Sequence, residues 1–219
     1  MKILLIYLHL FSHNLLDNYL SRMNLTPTGG IKLNITYLHQ KYRLSCEAAA
    51  LATVLNFYNI SVSEEDIIKQ MPFDKTKKNK KTWGDPEIGF VGDIDGMSLD
   101  TGYGIHWIPM AKLASHWRKT LVLDRAGLKD LTYSILKGQP AVIWVYDGRG
   151  TPSFWLTPKG KKVSAIADEH TVVVYGFEGS EDHPMGFYIM DPDHGPTFWD
   201  TKKLNLLWES FNHSGLVVQ

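Results

Sequence analysis

YLHQKYRLSCEAAALATVL, residues 37–55, contains the only cysteine of a 219-residue chain, six positions after Gln40. From Ser45 onward, SCEAAALATVLNFYNI carries apolar and alanine residues over about four turns, which predicts a buried helix starting at or beside Cys46. Ser45 is a natural N-cap for it. Alanines at 48, 49, 50 and 52 would let this helix pass close to a packed sheet. A helix N-terminus gathers unpaired N–H groups and a positive dipole end, so a thiol placed there would have its anion favoured. An inert core cysteine explains the alanines equally well. It does not explain a partner base.

The whole chain narrows the field. One thiol excludes an internal disulfide and any multi-cysteine zinc or iron-sulfur site. Lys plus Arg equals Asp plus Glu at 23 each, which gives no electrostatic case for nucleic acid as the main partner. With 44% hydrophobic and 21% charged residues the composition is that of a soluble globular protein. The lysine run Lys75 to Lys81 reads as a solvated loop. Ile3 to Phe11 is apolar but too short to span a bilayer, which needs about 20 residues. It reads as a packed strand or helix, a weak export signal with no small-x-small cleavage site, or a surface anchor. The compartment, cytoplasmic or exported, stays open.

Asn24 to Lys32, with Pro27, Gly29 and Gly30, reads as a hinge, which divides an extension at 1–33 from a main domain at 34–219. After the cysteine helix, SVSEEDIIKQM has Ser63 and Asp66 in capping-box register and predicts a helix near 63–70. Residues 72–109 are rich in glycine, proline and aspartate with no usable period, and a loop of that length is unusual unless it serves a purpose. PMAKLASHW and GLKDLTYSILKG predict helices, the second closed by Gly138. PAVIWVY, EHTVVVYGF, GFYIMDP and SGLVVQ predict strands. Helices first and strands later give an α+β class, with an antiparallel sheet packed on early helices.

A nucleophilic cysteine needs a base, and a base needs an orienting group. Of nine histidines only His170 opens a clear strand, EHTVVVYGF. The next strand follows by a short connection and ends in Asp191, so an antiparallel hairpin would bring His170 and Asp191 together. Read singly, His170 is as well explained as a structural residue and Asp191 as a turn residue before Pro192. Gln40 could donate to the oxyanion of a tetrahedral intermediate together with the Cys46 backbone N–H. His183, Asp191, Asp193 and His194 could alternatively form a zinc cluster, whereas DIDG at 93–96 lacks the rest of a calcium loop.

A glutamine six residues before a cysteine at a helix start, a later EHTVVVYGF and then MDPDHG together resemble the papain superfamily, and most closely the bacterial C39-like cysteine peptidases. SCEAAALATVL, WGDPEIGFVG, GYGIHW, GQPAVIWV and EHTVVVYGF are similar to that family's blocks, in its order, from about Asn34 to the C-terminus. The resemblance implies a papain-like fold with Cys46 as nucleophile, His170 as base, Asp191 as orienting group and Gln40 as oxyanion donor. Trp83, Asp85 and Phe90, in the WGDPEIGFVG block, are expected to border the cleft. The implied activity is hydrolysis of an amide bond in a peptide or protein through an acyl-enzyme, with no cofactor and no metal. Acyl transfer to an amine on the same scaffold, or a catalytically inactive peptide-binding module, are the alternatives. No ATPase motif or membrane span follows in these residues, so secretion-coupled leader removal is not expected. Gly29 and Gly30 suggest a self-removed leader, but Asn24 and Pro27 stand where such a leader would carry apolar residues.

Overall fold

The computed structural model describes residues 22–148 and 150–219; the apolar segment 3–11, with its three readings, lies outside the described residues. Helix α1, Cys46–Phe57, is the centre of the packing. Every residue in it except Asn56 is buried, so it needs apolar partners all round. It finds them in strands β6, Ala141–Tyr146, and β9, Glu169–Gly179. Helix α2, Glu64–Gln70, begins with the expected capping box: Ser63 Oγ accepts from Asp66 N at 3.2 Å and Asp66 Oδ2 accepts from Ser63 N at 3.1 Å. Helices α3, Trp107–Ala114, and α4, Leu128–Leu136, follow, and Gly138 closes α4 at a positive φ of 71°.

An eight-stranded antiparallel sheet forms the second layer. Its long path runs β1, Met23–Leu25; β2, Ile31–Leu33; β9; β6; β12, Gly215–Val218; and β5, Thr120–Leu123. On its other edge β9 pairs with β10, Pro184–Asp191, which in turn pairs with β11, Gly195–Asp200. Val173 lies at the crossing, opposite Val142 on β6 and Met190 on β10. Helix α5, Thr201–Glu209, is capped by Asp200, whose carboxylate accepts from Lys203 N at 2.7 Å, and it buries Leu204, Leu207 and Trp208. The α+β architecture is that expected from the sequence.

The stretch read as a hinge is the β1–β2 hairpin. Its glycines are turn and contact residues: Gly29 takes a φ of 96°, and a Cβ on Gly30 would stand 2.0 Å from the Phe177 carbonyl oxygen of β9. Between α2 and α3 the long loop forms only the two-residue parallel pair β3, Phe73–Asp74, and β4, Phe90–Val91. It is held by a separate hairpin, β7, Pro152–Leu156, and β8, Lys162–Ile166, through a small apolar cluster of Trp83, Val91, Tyr103, Trp155, Val163 and Ala165. Among the described residues no helix is long and apolar enough to cross a membrane.

Candidate active site

Antiparallel pairing fixes which ends of the strands meet. His170 is the second residue of β9 and Asp191 the last of β10, so both sit at one end of the sheet. His170 Nε2 lies 2.8 Å from Asp191 Oδ1, and both side chains are largely buried. The same oxygen accepts from the backbone N–H groups of Asp193 at 2.9 Å and His194 at 3.2 Å. Burial would raise the Asp191 carboxyl, but the His170 hydrogen bond and charge and the two amides outweigh it and bring it down to about 2. An ionised Asp191 only accepts, so His170 Nε2 is the donor of that bond, and Nδ1 is the ring nitrogen not engaged by Asp191.

Cys46 is the first residue of α1 and is 4% exposed. Ser45 precedes it as N-cap without capping through its side chain; its Oγ instead donates to Tyr42 O at 2.9 Å and accepts from Tyr42 N at 3.1 Å. The thiol does not behave as the helix position alone predicts. Burial raises it well above its ordinary value, and the neighbouring carboxyls of Glu47 and Glu169 push the same way; the Thr171 backbone N–H, one residue beyond His170, opposes them. Cys46 Sγ is a donor to Glu47 Oε2 at 3.4 Å.

Gln40 is buried on the loop that leads into α1, and its backbone N–H donates to Pro192 O at 2.8 Å, next to Asp191. Its side-chain amide donates to Tyr42 O at 2.9 Å and Arg43 O at 3.1 Å, and its Oε1 is buried without a hydrogen bond. In this arrangement both side-chain N–H groups brace the loop.

Trp83, Asp85 and Phe90 have other partners. Phe90 is fully buried in the main core and tilted against Phe73 at 5.4 Å. Trp83 packs on Trp155 at 5.3 Å, and the Asp85 carboxylate pairs with Lys161 Nζ at 2.9 Å. Together with Trp155 Nε1 donating to Gly84 O at 2.6 Å, these contacts clamp the long loop to the β7–β8 hairpin. The four residues of the zinc reading do not come together: His183 lies at the β9–β10 turn and Asp191, beside Asp193 and His194, at the opposite end of β10. No group of three His, Cys, Asp or Glu side chains among the described residues is arranged to hold a metal ion.

Sequence reading passed over two buried acids beside the site, Glu47 at 1% exposure and Glu169 at 7%. The signal was available, because each is a charged residue inside an otherwise apolar segment, CEAAAL and EHTVVV.

A buried helix headed by a cysteine and packed on a large antiparallel sheet gives the α+β, papain-like fold of C39-like peptidases. The chain belongs to the Peptidase_C39 like family, whose profile matches residues 32–215. It is 27% identical over 182 residues to YvpB, an uncharacterised protein of Bacillus subtilis, covering 80% of this chain and 68% of that one. Its fold is similar to the crystal structure of a Bacillus anthracis protein assigned as a C39-like peptidase, with a TM-score of 0.73 and 24% identity over 85% of this chain and 94% of that one.

Proposed function

We propose that the protein is a cysteine peptidase that cleaves a peptide or protein amide bond through a Cys46 acyl-enzyme. The observation that carries this reading is the buried His170–Asp191 pair at the sheet end where α1 begins with the chain's only thiol. In the first step the Cys46 proton passes to His170 Nδ1 while sulfur attacks the scissile carbonyl. Asp191 keeps the ring in that tautomer and stabilises the imidazolium that forms. The Cys46 backbone N–H, which has no intrahelical partner at the first position, donates to the developing oxyanion. Gln40 joins it by exchanging one of its two loop carbonyls for that oxygen. The imidazolium then protonates the leaving amine, and a water molecule deprotonated by His170 releases the acid.

Cys46→Ala should abolish both labelling by an electrophilic peptide and turnover, and His170→Ala should lose a comparable share of turnover because the members act as a unit. Turnover that persists in Cys46→Ala sinks the proposal. The Cys46–Glu47 contact favours one second reading, a peptide-binding module whose thiol stays protonated and unreactive. Failure of iodoacetamide to modify Cys46 in the folded protein from pH 6 to pH 9 would support it.

A further inference from the structure

Each member of the Cys46–His170 pair has a buried glutamate as its chain neighbour, Glu47 after the cysteine and Glu169 before the histidine. The two carboxyls converge on one point beside Gly104. A Cβ built on that glycine would stand 2.6 Å from Glu47 Oε1 and 2.5 Å from Glu169 Oε2. With glycine at 104 both carboxyls stand where they are; a larger residue would push them aside. The Ile105 backbone N–H donates to Glu47 Oε1 at 2.8 Å, which leaves Oε2 to meet the Cys46 sulfur at 3.4 Å. Glu169 Oε1 is buried without a hydrogen bond.

No Lys or Arg among the described residues pairs with either acid. The titratable groups that face them are Cys46 from α1, His170 from β9 and Tyr103, whose buried hydroxyl is also without a hydrogen bond, from the loop before α3. Two carboxylates sharing a dry site cannot both ionise cheaply. On this geometry, and given the peptidase reading above, we infer that Glu47 and Glu169 form a carboxyl pair that keeps at least one proton at neutral pH, and that Glu47 positions Cys46 through its own protonation. With Glu47 neutral, its Oε2–H donates to the thiolate formed when the sulfur's proton moves to His170 Nδ1. With Glu47 ionised, the thiol keeps its proton and donates it to Oε2, and the nucleophile is held in reserve.

The order in which the two acids titrate follows from their surroundings. Burial raises both, Glu47 to about 7; Glu47 accepts from the Ile105 amide and the Cys46 thiol, whereas Glu169 Oε1 is without a hydrogen bond, so the first negative charge of the pair settles on Glu47. Glu47 therefore loses its proton first as pH rises, and the thiol becomes harder to ionise above pH 7, where a free thiol becomes easier.

The test is the rate of iodoacetamide alkylation of Cys46 from pH 5 to pH 9, read by intact mass without substrate. The wild type should level off or fall above pH 7. Glu47→Gln places a neutral N–H donor at the sulfur and should alkylate about tenfold faster at pH 8, the effect of removing an adjacent charge that shifts an ionisation by about one unit. Glu169→Gln copies the protonated acid and should keep the wild-type break. Superposable profiles for wild type and Glu47→Gln, or a slower Glu47→Gln at every pH, would overturn the inference. If Glu47→Gln does not fold, infrared spectra of the wild type decide: a protonated buried carboxyl band that persists at pH 8 is expected, and its absence above pH 6 overturns the pair. Because alkylation needs no peptide, an altered profile with no peptide turnover counts against the peptidase reading alone.

Discussion

Asp191 and Glu47 are both buried carboxyls within one site, and their linkage to folding has opposite sign. Asp191 falls to about 2 from an unfolded value near ~3.9, so its contribution is fully present above about pH 4 and is lost as pH falls toward 2. Asp191→Ala should therefore cost about 2 kcal/mol at pH 7, read from urea melts, and lower turnover at least about a hundredfold through loss of imidazole orientation. Glu47 rises to about 7, so folding favours its protonated form; that contribution is present below an unfolded value near ~4.3 and is lost as pH climbs through 7. Glu47→Gln should match the wild type at pH 4 and exceed it by up to about 3 kcal/mol at pH 8. A Glu47→Gln protein no more stable than wild type at pH 8 would mean that the buried acid is not raised. A helix starting at Cys46 and the meeting of His170 with Asp191 were legible from residue type and strand order. The raised thiol was not, because its main cause is burial, which depends on the segments that fold over the helix start.

At the scale of elements, the β7–β8 hairpin stands apart from the main sheet and rests on Trp155. The indole is buried among Trp83 and Tyr103 and donates to Gly84 O, so Trp155→Ala should cost about 3 to 5 kcal/mol and loosen the long loop first, seen as early proteolysis within residues 72–106. Cleavage elsewhere with that loop intact would contradict the clamp. Elements that bury a full face were readable, α1 by its alanines and β6 and β9 by their valines and isoleucines; α2, which buries only Glu64 and Ile67, was readable by its cap, Ser63 and Asp66. Those that bury little were not. In β7 three of five residues are exposed, β5 has four residues, and Pro27, Gly29 and Gly30 look the same in a hinge as in a tight hairpin. Helix α5 carried a readable signal, Leu204, Leu207 and Trp208 at helical spacing, that went unread beside its lysines.

For the whole molecule, the β1–β2 hairpin joins the sheet only through the far half of β9. Lys32 pairs with Gly176, Thr28 Oγ1 accepts from Gly179 N at 2.9 Å, and Leu33 is buried in the core. We propose that residues 34–219 contain the complete catalytic unit. A chain starting at 34 should fold and retain Cys46 labelling but lose about 2 to 4 kcal/mol in denaturant melts, chiefly from Leu33. Loss of labelling with the fold retained would place part of the site in the hairpin.

Strand β9 holds the imidazole at one end and is flanked by partners on both edges around Val173 and Val174. Its central amides should be among the last in the protein to exchange with deuterated solvent, opening only with the whole molecule. The histidine thus stands three residues before the doubly paired centre of β9, held by β6, whereas the cysteine follows a loop, residues 34–45, without helix or strand. Breathing that admits a peptide chain is therefore expected on the nucleophile's side, with exchange in residues 34–45 faster than in Val173 and Val174.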